Sequence, residues 1–214
     1  MSASDTALDD LSLSAFMSSK ICHDLVGPVG AISNGLELLE EETDDETRAY
    51  AFELIQFSAS VARARLEFSR LAFGASTALG SEIDLRHAEG VTKAFVEEGK
   101  HKLHWKSSVG AIDKSLARVF LMLVTISVPA IPAGGDLNVN ISGEGDAVVC
   151  EIRCKGRNAR IPEGLEDIFN GKIGNVDPRS IITYYCVRLA QSVGRELTVR
   201  KDGADIVFNV KTRS

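Results

Sequence analysis

Small or apolar residues recur at alternating steps of four and three along two stretches of the first third of the chain. This spacing places them on one face of an α-helix. Between the stretches, Thr43 and Glu46 have the spacing of a capping box, which predicts the start of the second helix. The sequence therefore predicts an antiparallel helical hairpin with an acidic turn. The seam positions are Leu11, Ala15, Ser18, Cys22, Leu25, Val29, Ile32, Leu36 and Leu39 in the first helix, and Tyr50, Leu54, Phe57, Val61, Ala64, Phe68 and Leu71 in the second.

A hairpin of two helices covers only one side of each seam. Two copies that pack as a four-helix bundle would bury the remaining apolar surface. We therefore expect the chain to form a homodimer through its hairpin.

After Gly74 the periodicity changes from helical to mixed. Short strand-like runs alternate with two helical stretches, which is typical of a sheet covered by helices. The predicted strands are 103–106, 137–141, 147–154, 196–200 and 206–210, and the predicted helices are 115–128 and 179–193. We predict an α+β protein with four segments: an N-terminal tail (1–10), the hairpin (11–74), a linker (75–81) and an α/β sandwich (82–214).

Composition narrows the classes of function. Of the 214 residues 44% are hydrophobic, and the net charge of -6 makes nucleic acid an unexpected partner. The longest apolar runs fall short of the roughly 18 residues that a membrane span needs, and no signal peptide opens the chain. The four cysteines contain no CxxC pair. We expect a soluble, unexported protein of the reducing cytoplasm.

His23 lies outside the seam of the first helix, on its predicted wet flank, and is followed by Asp24. A carboxylate can orient an exposed imidazole and raise its basicity, as a nucleophile that attacks an acyl-phosphate requires. The alternative is an ordinary solvated histidine, which is the commoner case for a lone His in a helix.

The run from His23 through Asp24 and Leu25 to Pro28 resembles the H-box of sensor histidine kinases. In that motif a histidine, an acidic residue and a proline five places later open a two-helix dimerisation domain. Pro28 also fits physically, because a proline inside a helix removes a backbone hydrogen bond and bends the axis close to the histidine.

The second segment resembles the ATP-binding module of the same kinases in element order but not in chemistry. Met122 and Ile126 stand where the kinases carry asparagines, and neither side chain offers the oxygen that Mg²⁺ requires. Cys154 replaces the aspartate that contacts adenine, and the run 180–183 lacks the glycines of the phosphate-binding box. Ile168-Phe169-Asn170 still resembles a structural turn of the family. The resemblance implies a Bergerat-type fold without its nucleotide site.

An H-box hairpin joined to such a module resembles the ChpT-type histidine phosphotransferases of bacterial phosphorelays. The resemblance spans nearly the whole chain and implies that His23 accepts a phosphoryl group. The donor would be an aspartyl-phosphate on the receiver domain of a hybrid kinase, and the acceptors would be response regulator receiver domains. The chain itself would bind no cofactor, because the receiver supplies the Mg²⁺. Asp24 is the predicted orienting residue.

The surface beyond His23 is the predicted receiver-binding site. Gly27, Gly30, Ala31 and Asn34 follow the histidine on its own face, and small residues allow another backbone to approach closely. Alternatively, Gly27, Gly30 and Gly35 only tolerate the bend near Pro28. Both interpretations can hold together.

Other conspicuous residues have simpler explanations. The basic residues Arg153, Lys155, Arg157 and Arg160 could face an acidic receiver, although such a run is usually a solvated face. His87, His101 and His104 lack the partners and spacing for a metal site. Cys22 could be a redox thiol, but its seam position favours a buried core residue.

Two other functions stay open on the sequence alone. The first is an autophosphorylating histidine kinase with an atypical nucleotide site. The second is a non-catalytic dimeric adaptor that binds receivers or kinases. Lost nucleotide ligands argue against the first, and the retained His23-Asp24 pair argues against the second.

Overall fold

Two long helices form the predicted hairpin in this computed structural model, which describes residues 8–41, 44–74, 81–172, 177 and 180–213. Helix α1 spans Asp10–Glu40 and α2 spans Asp45–Phe73. The predicted cap at Thr43 lies outside the described residues. The observed N-cap of α2 is Asp44, whose carboxylate accepts a hydrogen bond from the Thr47 N–H at 2.9 Å. Hydrogen bonds from the Thr47 N–H and hydroxyl stabilise the charged carboxylate and hold the pKa of Asp44 below its usual value.

The predicted seam of the hairpin divides into two faces. Pro28 and Gly35 of α1 are buried against α2, while Leu25, Ile32 and Leu39 are half-buried at the edge of this contact. Toward the end of α2 the seam positions are buried, except for the half-buried Leu54; the buried ones are Val61, Ala64, Phe68 and Leu71. The remaining seam positions are exposed within one chain; they are Leu11, Ala15, Ser18, Cys22, Val29, Leu36, Tyr50 and Phe57. We call the large ones the apolar stripe; they are Leu11, Val29, Leu36, Tyr50 and Phe57, with side chains between 50% and 84% exposed.

Cys22 lies on the same exposed side of α1. The prediction that this thiol is buried is therefore wrong for the single chain. The sequence analysis placed Cys22 in a seam that the hairpin and a second copy cover together, whereas within one chain this side of α1 faces solvent.

The described residues after Gly74 form two sheets and four helices, with two short 3₁₀ turns at Val128–Ala130 and Gly145–Ala147. The predicted strands and helices are present, generally with bounds that differ by a few residues. Three short elements and one 12-residue helix were not predicted: they are Glu82–Asp84, Ala111–Asp113, Leu165–Phe169 and the helix Leu85–Val96. The elements are β1 (Glu82–Asp84), α3 (Leu85–Val96), β2 (His101–Ser107), β3 (Ala111–Asp113), α4 (Lys114–Ser127), β4 (Gly135–Ser142), β5 (Val149–Lys155), α5 (Leu165–Phe169), α6 (Ile181–Ser192), β6 (Arg195–Asp202) and β7 (Asp205–Thr212).

The main sheet has the strand order β2-β4-β5-β7-β6 and is mixed. Strands β2 and β4 pair in parallel, and the other neighbours are antiparallel. Buried residues alternate with more exposed ones along β4 and β5, so one face of the sheet meets the helices and the other meets solvent. Strands β1 and β3 form a separate two-stranded pair.

The hairpin and the sandwich share one hydrophobic core. Phe68, Leu71 and Ala72 near the end of α2 are buried in the same cluster as the helices of the sandwich. Arg118 of α4 donates hydrogen bonds to the carbonyl oxygens of Ala72 at 3.1 Å and Phe73 at 3.2 Å. These carbonyls lie at the end of a helix, where the backbone lacks internal donors. The described helices include none that is long and apolar enough to cross a membrane.

Candidate functional site

His23 projects from the middle of α1 into solvent. Its side chain is 86% exposed, as predicted for a residue outside the seam. It lies about a third of a turn from Cys22 and the apolar stripe, by the 3.6-residue period of the helix. The imidazole is therefore accessible to another protein even if a second copy covers the stripe.

Asp24 does not hydrogen-bond to His23 in the structure. The shortest distance between them joins His23 Nδ1 and Asp24 Oδ1 at 3.7 Å, which is too long for a hydrogen bond. The Asp24 carboxylate instead pairs with the Nζ atom of Lys20, one turn earlier in α1. His23 and Asp24 thus lie close together, but the Asp24 carboxylate pairs with Lys20, which the sequence did not single out.

Arg65 links the helix that carries His23 to the sandwich. Its Nη1 atom donates to the Asp24 carbonyl oxygen at 2.7 Å, and its Nε atom donates to Glu98 Oε2 at 2.9 Å. Together with Lys20, these groups line a cleft of about 390 Å³ between α1 and the start of the sandwich. Sequence reasoning missed Arg65 and Glu98 because their partners are 41 and 33 residues away along the chain.

Glu98 is the least well satisfied charged group of this cleft. Its Oε1 atom has no hydrogen-bond partner among the described residues. Burial raises the pKa of the Glu98 carboxyl, and the nearby Asp24 carboxylate acts in the same direction, while Arg65 opposes both. Arg65 therefore donates hydrogen bonds to two acceptors, the Glu98 carboxylate and the Asp24 carbonyl oxygen.

The predicted receiver-binding residues lie beyond His23 on the same side of α1. Gly27, Gly30 and Asn34 are exposed, and Ala31 is half-buried. A side chain added at Gly27 or Gly30 would meet nothing within 4 Å, so packing inside the chain does not require either glycine. Gly35 differs, because an added methyl group would lie 2.6 Å from Ile55 Cγ1 and 3.2 Å from the Ala51 carbonyl oxygen. Gly35 serves the contact between the two helices, and it does not belong with the other two.

The side chains that the sequence aligns with nucleotide-ligand positions of the kinases are part of the hydrophobic core. Met122, Ile126 and Cys154 are at most 6% exposed, and Ile181 and Ile182 at the start of α6 are equally buried. The Cys154 thiol donates a long hydrogen bond to the Ser127 carbonyl oxygen, and burial raises its pKa to about 12. These side chains fill the sandwich from within.

The remaining glycine of that region has a packing role. A side chain at Gly156 would lie 2.6 Å from the Gly134 carbonyl oxygen, and one at Gly135 would lie 2.1 Å from the Lys155 carbonyl oxygen. Glycine is thus required for the two segments to approach. Both glycines thus have a structural role in this chain.

The basic run on β5 is partly neutralised within the chain. Arg153 pairs with Asp202 at 2.8 Å and with Asp205 at 3.2 Å, and these hydrogen bonds raise the pKa of its guanidinium. Lys155, Arg157 and Arg160 are exposed. This arrangement favours the solvated-face interpretation for Arg153.

His101 and His104 have separate partners. His101 Nε2 lies 3.1 Å from the Ile131 carbonyl oxygen, and His104 Nε2 lies 2.7 Å from Asp136 Oδ1. The described part of the chain contains no group of three or more His, Cys, Asp or Glu residues that could hold a metal ion. All four cysteines are free thiols, and Cys150, Cys154 and Cys186 are buried.

Comparison with known proteins gives the same assignment for most of the chain. Residues 85–205 match the family model of the histidine phosphotransferase C-terminal domain. The protein phosphotransferase ChpT of Brucella abortus (strain 2308) is 36% identical over 206 residues, which cover 95% of this chain and 97% of that protein.

A solved structure of a bacterial phosphotransferase is similar over the same length. It superimposes with a TM-score of 0.88 at 35% identity, and the match covers 97% of this chain and 99% of the other. The match includes the hairpin as well as the sandwich, so the predicted fold class is confirmed. The exposed histidine on the hairpin, the filled interior of the sandwich and these full-length similarities together show that the chain belongs to the ChpT-type histidine phosphotransferase family.

Proposed function

We propose that His23 is the phosphoryl carrier of a bacterial phosphorelay. In this role it accepts the phosphoryl group from an aspartyl-phosphate on a hybrid kinase receiver domain and passes it to the receivers of response regulators. The observation that carries the proposal is the 86% exposed imidazole of His23 on a helix whose apolar stripe points elsewhere. We also propose that the chain acts in the cytoplasm, as its cysteine usage predicts.

The chemistry needs little from this chain beyond a positioned nucleophile. A ring nitrogen of His23 attacks the phosphorus atom in line, the N–P bond forms and the P–O bond to the receiver aspartate breaks. The aspartate leaves as a carboxylate, and the proton on the other ring nitrogen is lost to solvent or retained as the charge of the phosphohistidine requires. Positioning and the Mg²⁺ of the receiver supply most of the rate enhancement.

Asp24 supports His23 in this proposal through its charge. The carboxylate lies 3.7 Å from the ring and is held by Lys20, so it acts without a direct hydrogen bond. The receiver docks on Gly27, Gly30, Ala31 and Asn34. The open space above Gly27 and Gly30 supports this choice, since no neighbouring side chain of the same molecule occupies it.

The carrier works without ATP in this proposal. A nucleotide would have to displace Met122, Ile126, Cys154 and Ile181, which are at most 6% exposed and belong to the continuous core. Such displacement would forfeit packing that each buried side chain contributes. The sandwich instead braces the hairpin.

The functional unit in this proposal is a homodimer. Large apolar side chains from both helices form the apolar stripe, and an exposed surface of this kind marks an interaction site. A second copy of the hairpin covers the stripe as a four-helix bundle. His23 stays outside that contact.

The test is phosphoryl transfer from a purified receiver domain that carries labelled aspartyl-phosphate, without ATP. We expect label on the wild type and on His87→Ala, which removes another exposed helical histidine, but none on His23→Ala. If labelled ATP alone marks His23, the chain is a kinase. If receivers bind but neither donor labels the chain, the adaptor function replaces the proposal.

A further inference from the structure

Pro28 leaves one backbone acceptor of α1 without its usual donor. In an α-helix the carbonyl of each residue accepts a hydrogen bond from the N–H four residues later. For Asp24 that later residue is Pro28, which has no N–H and whose ring crowds the carbonyl four residues before it. The carbonyl directly after His23 therefore needs a donor from outside the helix.

Arg65 of α2 provides this donor. Its Nη1 atom lies 2.7 Å from the Asp24 carbonyl oxygen, and its side chain is two-thirds covered. The same guanidinium donates from Nε to Glu98, which follows α3 in the sandwich. Because a guanidinium is planar and rigid, fixing one edge of it on Glu98 also fixes the direction of the other N–H groups.

This contact acts on the turn of α1 that presents the nucleophile. The Asp24 carbonyl belongs to the residue bonded to His23, so a shift of that peptide moves the imidazole. In-line attack is sensitive to displacements of about 1 Å. Pro28 bends the helix next to His23, and it would also loosen the turn that carries His23 unless another donor held the Asp24 carbonyl.

We propose that Arg65 is a positioning residue for phosphoryl transfer: it holds the Asp24 carbonyl that Pro28 leaves unpaired and so fixes the turn that carries His23. Glu98 keeps the arginine in place from the sandwich. This inference rests on the proposed function of His23. If Arg65 and Glu98 formed only an ordinary ion pair, the effect of removing Arg65 would not depend on Pro28.

A double-mutant cycle separates the two possibilities. Arg65→Met removes the donors and keeps the aliphatic stem, whereas Pro28→Ala returns an N–H to the Asp24 carbonyl. The rate constant of transfer from a phosphorylated receiver domain is measured over a range of receiver concentrations for the wild type, both single variants and the double variant. The saturating rate reports positioning, and the half-saturating concentration reports docking.

We expect Arg65→Met to lower the saturating rate about tenfold with little change in the half-saturating concentration. In the Pro28→Ala background the same substitution changes the rate less than about twofold, because the helix now supplies its own donor. Arg65→Lys recovers part of the rate, since an ammonium can still donate to the carbonyl. Equal losses in both backgrounds overturn the inference.

A second readout does not depend on activity. The ring signals of His23 in a ¹H–¹³C NMR spectrum, assigned by their absence in His23→Ala, shift with Arg65→Met in the wild-type background and stay in place in the Pro28→Ala background. Far-UV circular dichroism shows whether each variant is folded. If the wild type accepts no phosphoryl group, the proposed function fails, and these ring signals alone decide whether Arg65 positions the turn.

Discussion

Single residues of α1 show that the same amino acid serves different purposes only a few positions apart. Gly35 lets the backbone of α1 approach Ile55 and Ala51 of α2, whereas the space next to Gly30 is open. Glycine costs helix stability wherever it stands, so each one needs a compensating reason. The reason is packing within the chain for Gly35 and, in our proposal, receiver docking for Gly30.

Replacing these two glycines by alanine should change stability in opposite directions. Gly35→Ala forces a methyl group into a closed contact and should lower the free energy of unfolding by about 1–3 kcal/mol. Gly30→Ala should raise it by up to about 1 kcal/mol, because alanine favours the helix and meets no neighbour. Urea denaturation at neutral pH measures both. Equal effects of the two changes would show that Gly35 has no special packing role.

The elements of the hairpin have more apolar surface than one chain can bury. Helices α1 and α2 contact each other through one face, and Leu11, Val29, Leu36, Tyr50 and Phe57 remain exposed on another. Such a surface is costly in water unless a partner covers it. At the scale of the element, this exposed surface supports our proposal that the hairpin is half of a four-helix bundle.

A charge in the apolar stripe should convert the proposed dimer into a monomer. Phe57→Asp places a carboxylate at the contact between copies, where it would have to be buried without a partner. The control is Gln56→Asp, which adds the same charge to the neighbouring exposed position, about 100° away around α2. Sedimentation equilibrium measures the mass of each species. A wild type that sediments as a monomer at micromolar concentration would contradict the dimer.

The whole molecule depends on the attachment of the hairpin to the sandwich. Phe68 stacks on Phe95 of α3 with ring centroids 4.1 Å apart, and Arg118 holds the last carbonyls of α2. The segment just before α1 reaches α6, where the Tyr184 hydroxyl accepts a hydrogen bond from the Leu8 N–H at 3.1 Å. These contacts fix the direction in which the helices leave the sandwich.

Removing Arg118 should weaken this attachment. Arg118→Met leaves the Ala72 and Phe73 carbonyls and the Tyr185 hydroxyl without their donor, and we expect a loss of about 1–3 kcal/mol in the free energy of unfolding. Arg70→Met is the matched control, because Arg70 is exposed in the last turn of α2. Chemical denaturation compares the two. A loss as large for Arg70→Met would show that helix charge, and not the attachment, is responsible.

Local sequence patterns predicted the long helices, but they did not predict contacts between residues that are far apart along the chain. The periodicity of 11–39 and 50–71 placed both long helices, and the helical position of His23 predicted its exposure. The pattern did not show which seam residues face α2 and which face solvent, because both sets share one period. Arg65 was not predicted either, since the need for it arises from the missing N–H of Pro28, and its identity as the donor depends on the tertiary fold.

The short elements β1, β3 and α5 were missed for a related reason. Three to five residues carry too little periodicity to distinguish a strand or a helical turn from a loop. The residues that align with the kinases' ligand positions were more informative. Met122, Ile126 and Cys154 are apolar in the sequence and buried in the structure, so the absence of ligand oxygens at these three positions was visible in the sequence.

The location of the phosphoryl group tests the central claim most directly. The protein is incubated with a phosphorylated receiver domain in the absence of ATP, separated from it, and analysed by ³¹P NMR and by mass spectrometry of its peptides. The account predicts an acid-labile, base-stable phosphoramidate signal on the peptide that contains His23, and no such signal for His23→Ala. A phosphoryl group on another residue, or none after incubation with several receivers, would contradict it.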